Sequence, residues 1–347
     1  MDGFREGDER RRPTPPDPRA GHEETSAVRL EEIGDLHFHA AAYTSAVEYY
    51  LSALRVARAE NPQGLDSVAL HTKLSDCHRL QGEFDEAHRS LDEARGSLAD
   101  DDTVAQASLD VRAARILQAQ GRFDAAIETA SQAFGVLSLT DRHEDVGAAQ
   151  MVLGIANACT GRLEKAKEFF EDALATYRRI EDEVSQAHVF NNLALVAKRG
   201  CQWGRALKLY ERAERLFAAH GAAYESDMLL LNKAVLFRKI GRTADARATA
   251  ERGVRRARSR GDQADLCRLL LLAGQLAVEE SHFDAAETAL LESKVLAERQ
   301  DMQRELALAD EFLGDLMRAI GRLDEAETNY ELAIERARRI SEENDVL

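Results

Sequence analysis

Asn191-Asn192-Leu193-Ala194-Leu195-Val196-Ala197-Lys198-Arg199-Gly200-Cys201-Gln202-Trp203-Gly204-Arg205-Ala206-Leu207-Lys208-Leu209-Tyr210-Glu211-Arg212-Ala213 is the stretch that decides the fold. Apolar residues recur at helical spacing on either side of a short break around Gly200-Cys201, so the segment predicts two helices joined by a tight turn. Small residues stand at Ala194, Ala206 and Ala213, and a bulky one at Trp203. Two antiparallel helices approach closely only where both present small side chains, and a bulky residue after the turn fills the space to the next hairpin.

The same pattern repeats outward in both directions. Alanine recurs at Ala46, Ala87, Ala126, Ala166, Ala206, Ala246, Ala286 and Ala326, at intervals of 41, 39 and then five times 40 residues. Twelve residues earlier the position is always small: Gly34, Ser75, Ala114, Gly154, Ala194, Ala234, Gly274 and Gly314. Glycine stands five before the alanine at Gly82, Gly121, Gly161, Gly241 and Gly321, where a helix must end in a conformation that glycine adopts cheaply. A period of this length is the signature of a stacked repeat. The reading is all-α, with eight hairpins at about 27–62, 65–100, 103–140, 143–180, 183–220, 223–260, 263–300 and 303–340.

The wider composition agrees. The 347 residues carry a net charge of -16 and are 44% hydrophobic, in the range of ordinary soluble chains rather than disordered or disulfide-stapled ones. Four of the five prolines fall before residue 20, and the fifth lies in the break Asn61-Pro62-Gln63-Gly64, so nearly all the rest can be helix. Residues 1–26 are rich in proline, arginine and acids and read as a disordered tail, with 27–347 the repeat array. That opening is unlike a signal peptide and no apolar run is long enough to span a membrane, so a cytoplasmic location is expected. Cys77, Cys159, Cys201 and Cys267 form no C-x-x-C pair, which reads as reduced thiols.

This succession of small, turn, bulky, alanine and small positions resembles the tetratricopeptide repeat (TPR) over residues 27–340. It differs in a 40-residue unit and in lacking proline after the second helix, and the fifth unit is similar to repeats of kinesin light chain and of spindle-orientation adaptors. Bacterial regulators use such arrays as sensors. The resemblance implies a right-handed α-solenoid whose first helices line the concave face.

No catalytic signature occurs in the sequence, and neither cofactor nor metal is expected. His71, Cys77 and His78 read as structural residues rather than ligands, and the runs at Asp100-Asp101-Asp102 and Glu181-Asp182-Glu183 as helix-start acids. What a solenoid offers is a surface. First-helix positions place Lys73, Arg79, Arg112 and Arg115 in the second and third units. The fourth unit contributes Met151, Val152 and Ile155; the fifth and sixth contribute Asn191, Asn192, Lys198, Arg199, Asn232, Arg238 and Lys239. Asn192 and Asn232 share one register, as in an asparagine ladder. Acids crowd the end units at Glu31, Glu32, Asp35, Glu279, Glu311 and Asp315. A basic, partly apolar strip inside an acidic chain points to an acidic or amphipathic protein segment as partner.

The expected function is a non-enzymatic adaptor that binds a peptide in its groove. The alternative is the sensor region of a bacterial signalling or transcriptional regulator, truncated at the C-terminus. Glu31 and Asp35 replace the Lys and Asn that a clamp for chaperone tails needs in its first unit. The arginine run Arg252, Arg255, Arg256, Arg258 and Arg260 reads as a solvated outer face, without the interleaved aromatics of a nucleic-acid surface. Self-association through the last repeat is expected if its face stays open.

Overall fold

The computed structural model describes residues 26–40, 42–60, 67–99, 101–221 and 223–346. Residues 1–25, read above as a tail, and the break at Asn61-Pro62-Gln63-Gly64 lie outside them. The described residues form sixteen helices and no strand. None of these helices is long and apolar enough to cross a membrane.

The chain divides after Ala99 into two compact units. The first holds α1 (Ala27–His39), α2 (Tyr43–Glu60), α3 (Ser67–Gln81) and α4 (Phe84–Gly96). The division follows the shortest of the second helices, the 13-residue α4. The second unit holds α5 (Thr103–Ala119), α6 (Phe123–Leu137), α7 (His143–Cys159), α8 (Leu163–Arg179), α9 (Glu183–Arg199), α10 (Trp203–His220), α11 (Ala223–Lys239), α12 (Thr243–Arg260), α13 (Gln263–Glu279), α14 (Phe283–Arg299), α15 (Gln303–Ala319) and α16 (Leu323–Val346). Each odd-numbered helix packs on the even-numbered one that follows, which gives the eight hairpins that the period predicts. Within the second unit, neighbouring first helices touch one another more than neighbouring second helices do. The unit is therefore an α-solenoid with its first helices on the closer-packed side.

The register alanines explain the stacking. All eight are buried, none more than 3% exposed. Opposite them the small column makes room for the residue four after each alanine: a Cβ added to Gly154 would lie 2.5 Å from the Phe170 ring, and one added to Gly314 2.6 Å from the Tyr330 ring. Where the first helix instead carries Ala114 or Ala234, the partner shrinks to Ala130 or Ala250. These pairs adjust to each other, as dense packing requires, while Ala194 keeps its methyl opposite Tyr210.

One turn closes hairpin after hairpin. At the fourth, Gly161 adopts φ 82°, its N–H donates to Ala158 O at 3.1 Å, and the N–H of Arg162 donates to Asn157 O at 2.8 Å. Cys201 and Ser281 occupy the same left-handed position at φ 56° and 60° without glycine's freedom. Between hairpins, Asp102, Asp182 and Asp262 cap the next first helix, each accepting from a backbone N–H three residues on at 2.9 Å. Two of the acid runs singled out from sequence thus hold helix starts.

The arginine run on α12 is not merely solvated. Arg252 reaches Glu214 at 2.7 Å on the preceding hairpin, Arg258 reaches Glu292 at 2.6 Å on the following one, and Arg256 reaches the buried Asp227 at 2.9 Å. The run staples three hairpins together.

Candidate functional site

In the first unit the charged groups of the first helices satisfy one another. The Lys73 ammonium on α3 donates to Glu31 Oε1 at 2.7 Å and to Asp35 Oδ1 and Oδ2 at 2.7 and 2.8 Å on α1. Burial alone would lower the Lys73 pKa, but the bonds to Asp35 and Glu31 outweigh it and raise the value. The Tyr50 hydroxyl donates to Asp35 as well, at 2.7 Å. Arg79 lies 3.3 Å from Asp76 on its own helix. Of the residues selected from sequence, these two basic ones belong to the first unit and are held by its own acids.

The second unit begins the same way. Arg112 and Arg115 on α5 are engaged with neighbouring groups. Val152, at 2% exposure, packs into the core with Ala114, Ala126 and Leu153 and offers no surface, because its side of α7 faces the preceding hairpin. Met151 and Ile155 are half-buried beside the cluster that holds Leu193 and Ala197. An apolar surface remains there, made of two residues rather than three.

Around α9 and α11 the character changes. The Asn232 amide donates to Asn191 Oδ1 at 3.2 Å, forming one rung between consecutive first helices. The register pairing of Asn192 with Asn232 is thus replaced by a contact one residue earlier, since facing positions on neighbouring helices are offset, here by 41 residues. Arg199 donates to the Ala158 carbonyl on α7, and Arg238 to Glu279 Oε1 on α13 at 2.7 Å. Lys198 and Lys239, in the last turns of α9 and α11, form no ion pair or hydrogen bond among the described residues. Burial and then the Lys239 charge lower the Lys198 pKa. The structure thus places apolar, amide and unneutralised cationic groups together on the first-helix side of hairpins four to six.

Two residues of this region escaped the sequence reading. Tyr210, buried at 0% exposure, has a hydroxyl with no hydrogen-bond partner among the described residues. Leu195 stands on α9 one turn before Lys198, at a register where hairpins one, two and eight carry aspartate. The signal for both lay in comparing columns pairwise rather than singly. Elsewhere, the His78 ring lies 2.6 Å from Glu83 and Cys77 is buried at 0% exposure. Among the described residues no group of three His, Cys, Asp or Glu side chains is arranged to hold a metal ion.

The tetratricopeptide-repeat family model matches residues 24–98 and 105–179. No curated protein matches the sequence. Among solved structures, a Rap protein complexed with competence and sporulation factor aligns at TM-score 0.66 with 13% identity, covering 88% of this chain and 87% of that one. The Rap conjugation gene regulator of plasmid pLS20, in complex with the Phr* peptide, aligns at 0.63 with 13% identity, covering 92% and 97%. A signal transduction ATPase with numerous domains and a tetratricopeptide repeat sensor, from Pyrococcus horikoshii, aligns at 0.64 with 11% identity over 91% of this chain and 47% of that one. At these identities the likeness is one of fold.

Proposed function

We propose that this chain, a tetratricopeptide-repeat protein, is a non-enzymatic scaffold that binds a peptide segment of a partner against the first helices of hairpins four to six. The observation that carries the reading is the Asn191–Asn232 rung, with half-buried Met151 and Ile155 on the preceding first helix and Lys198 and Lys239 in the last turns of the two helices that the rung joins. Side-chain amides supply donor and acceptor together and so match an extended backbone, apolar contacts supply affinity, and the cations select for acid. The two Rap neighbours, each solved with a peptide or factor bound, support a peptide as the class of ligand. Lys73 and Arg79 are not part of this surface; their acids already occupy them.

The test is selection of a random peptide library, displayed on phage, against the full chain. Recovered peptides should compete for one site, and Asn191→Ala with Asn232→Ala should weaken them about tenfold, the worth of one to two hydrogen bonds in a desolvated groove. Selection of no peptide, or affinity unchanged in the double variant, overturns the proposal.

A second reading, a sensor region within a larger regulator, is favoured by the sensor-bearing ATPase neighbour. Co-purification of an ATPase or a DNA-binding polypeptide, released by the selected peptides, would support it over a stand-alone adaptor.

A further inference from the structure

One register of the repeat holds an acid in three hairpins and leucine in the fifth. Eleven residues before the register alanine stand Asp35, Asp76 and Asp315, and, in the fifth unit, Leu195. Asp315 shows what the acid does. The Tyr330 hydroxyl donates to its Oδ1 at 2.8 Å, and the Arg318 guanidinium donates to the same oxygen at 3.2 Å. In the first unit Asp35 takes the Tyr50 hydroxyl and the Lys73 ammonium, and Asp76 takes Arg79.

The fifth hairpin keeps the donors and lacks the acceptor. Tyr210 occupies the register of Tyr50 and Tyr330, four after the alanine, and Lys198 that of Arg79 and Arg318, eight before it. Position 195 gives them a hydrocarbon. Among the described residues the Tyr210 hydroxyl is accordingly buried without a partner, and Lys198 is the cation of this register without an acid, since Arg238 has Glu279. Lys239 adds a second unpaired cation from the adjoining hairpin, which the asparagine rung holds against the fifth. Lys198 is half-buried and Lys239 exposed beside it, so the inner ammonium carries both a loss of hydration and a like charge, and one shared anion relieves both.

We propose that an aspartate or glutamate side chain of the bound peptide supplies the carboxylate that position 195 withholds, received by Lys198 and Lys239 on hairpins five and six. The inference rests on the peptide-binding reading above and adds the chemistry of its anchor. The lysines stand seven residues, about two turns, beyond the asparagines of the rung on the same helices, so the same peptide presents backbone to Asn191 and Asn232 and one carboxylate to the lysines.

The library displayed with its peptide C-termini fused tests this, because every carboxylate offered is then a side chain. Peptides selected by the full chain should share an acidic position, and a synthetic, C-terminally amidated representative should lose about tenfold or more in affinity when Lys198→Met and Lys239→Met are combined. Leu195→Asp guards against misfolding: it installs the missing acceptor, so it should raise the thermal midpoint while weakening the acidic peptide to a similar degree. Selected peptides with no acidic position, or an acidic peptide bound equally by both variants, overturn the anchor and leave the peptide groove standing. A lowered midpoint in Leu195→Asp overturns the argument that the hairpin lacks a usable acceptor. Binding to free C-termini alone, seen with unfused peptides, would replace the side chain by a terminus and overturn it too. Failure to select any peptide defeats the groove itself.

Discussion

Hairpins five and eight carry the same tyrosine on the same scaffold and put it to opposite use. In the eighth, Tyr330, Asp315 and Arg318 close a hydrogen-bonded set within 3.2 Å of one another. In the fifth, the tyrosine and the cation remain, the acid is Leu195, and the facing glycine is Ala194. The difference shows how a repeat protein separates structural surface from binding surface. Where a register completes its own polar set the face is finished, and where it stops short a cation that still reaches the surface, here Lys198, is available to a ligand.

The facing residue offers the largest test. Gly314→Ala should cost about 2 kcal/mol, because the added methyl meets the Tyr330 ring and overpacked contacts of this kind run to ~1–3 kcal/mol. Ala194 already tolerates a methyl opposite Tyr210, so Ala194→Gly should cost only the helix penalty of about 1 kcal/mol. Urea unfolding followed by far-ultraviolet circular dichroism, with hydrogen exchange of α9 and α15 to localise the loss, measures both. Equal costs at the two positions would mean the two tyrosines are seated alike, and the contrast would fail.

The hydroxyls come next, and here the sign is what matters. Tyr330→Phe should destabilise by about 1 kcal/mol, since Asp315 loses a donor. Tyr210→Phe should be neutral or stabilise by up to about 1 kcal/mol, because it removes a buried hydroxyl that has no partner to lose. Destabilisation of both by the same amount would show that Tyr210 has a partner after all.

These contrasts also mark how far the sequence could be read. The alanine, small and turn columns are legible because backbone geometry imposes them on each unit alone: Ala206 must be small whatever its neighbours are. The column four after the alanine varies, from Ala130 to Phe170, because what it can hold depends on the facing residue and not on the unit's own backbone. The candidate site mixes the two kinds of information. Asn191, Asn232, Lys198 and Lys239 are visible as first-helix polar residues, but which cations are free depends on acids 38 to 42 residues away, as with Asp35 and Glu31 for Lys73. Lys73, fourteen residues before its register alanine, and Lys198, eight before its own, both read as first-helix lysines in sequence, and only the groups placed beside them show that the first is neutralised. Val152 was misplaced for a related reason: neighbouring first helices touch in the second unit, so part of the expected surface is spent on that contact.

The turns give a smaller effect. Hairpin four closes on Gly161 and hairpin five on Cys201, both with positive φ. A side chain in that conformation costs roughly 1–2 kcal/mol, and glycine regains most of it against its greater freedom when unfolded. Cys201→Gly should therefore stabilise by about 0.5–1 kcal/mol, and Gly161→Ala should destabilise by about 1 kcal/mol. Trp203, the single tryptophan, lies two residues after Cys201 and makes its fluorescence a local reporter of this turn. A Cys201→Gly chain that unfolds earlier would show that the thiol, rather than the backbone, decides the turn.

The last contrast barely touches stability and bears most directly on function. Lys73 and Lys198 should titrate on opposite sides of the ordinary lysine value of 10.5. For Lys73 the raised folded value means a contribution to stability that is present below 10.5 and lost as pH rises through the folded value. For Lys198 the sign reverses: the ammonium is disfavoured in the fold by burial first and Lys239 second, so its cost persists below the folded value and disappears as pH climbs from there to 10.5. Carbon-detected NMR of the lysine Cε resonances reads each site separately. Lys239→Met should move Lys198 only part of the way back, because burial is the larger cause, and should leave Lys73 in place. Saturation with an acidic peptide should carry Lys198 upward towards the behaviour of Lys73, since the ligand then does for the fifth hairpin what Asp35 and Glu31 do for the second. Coincident titration of the two lysines, or a Lys198 indifferent to the peptide, would erase the distinction between a finished face and an open one.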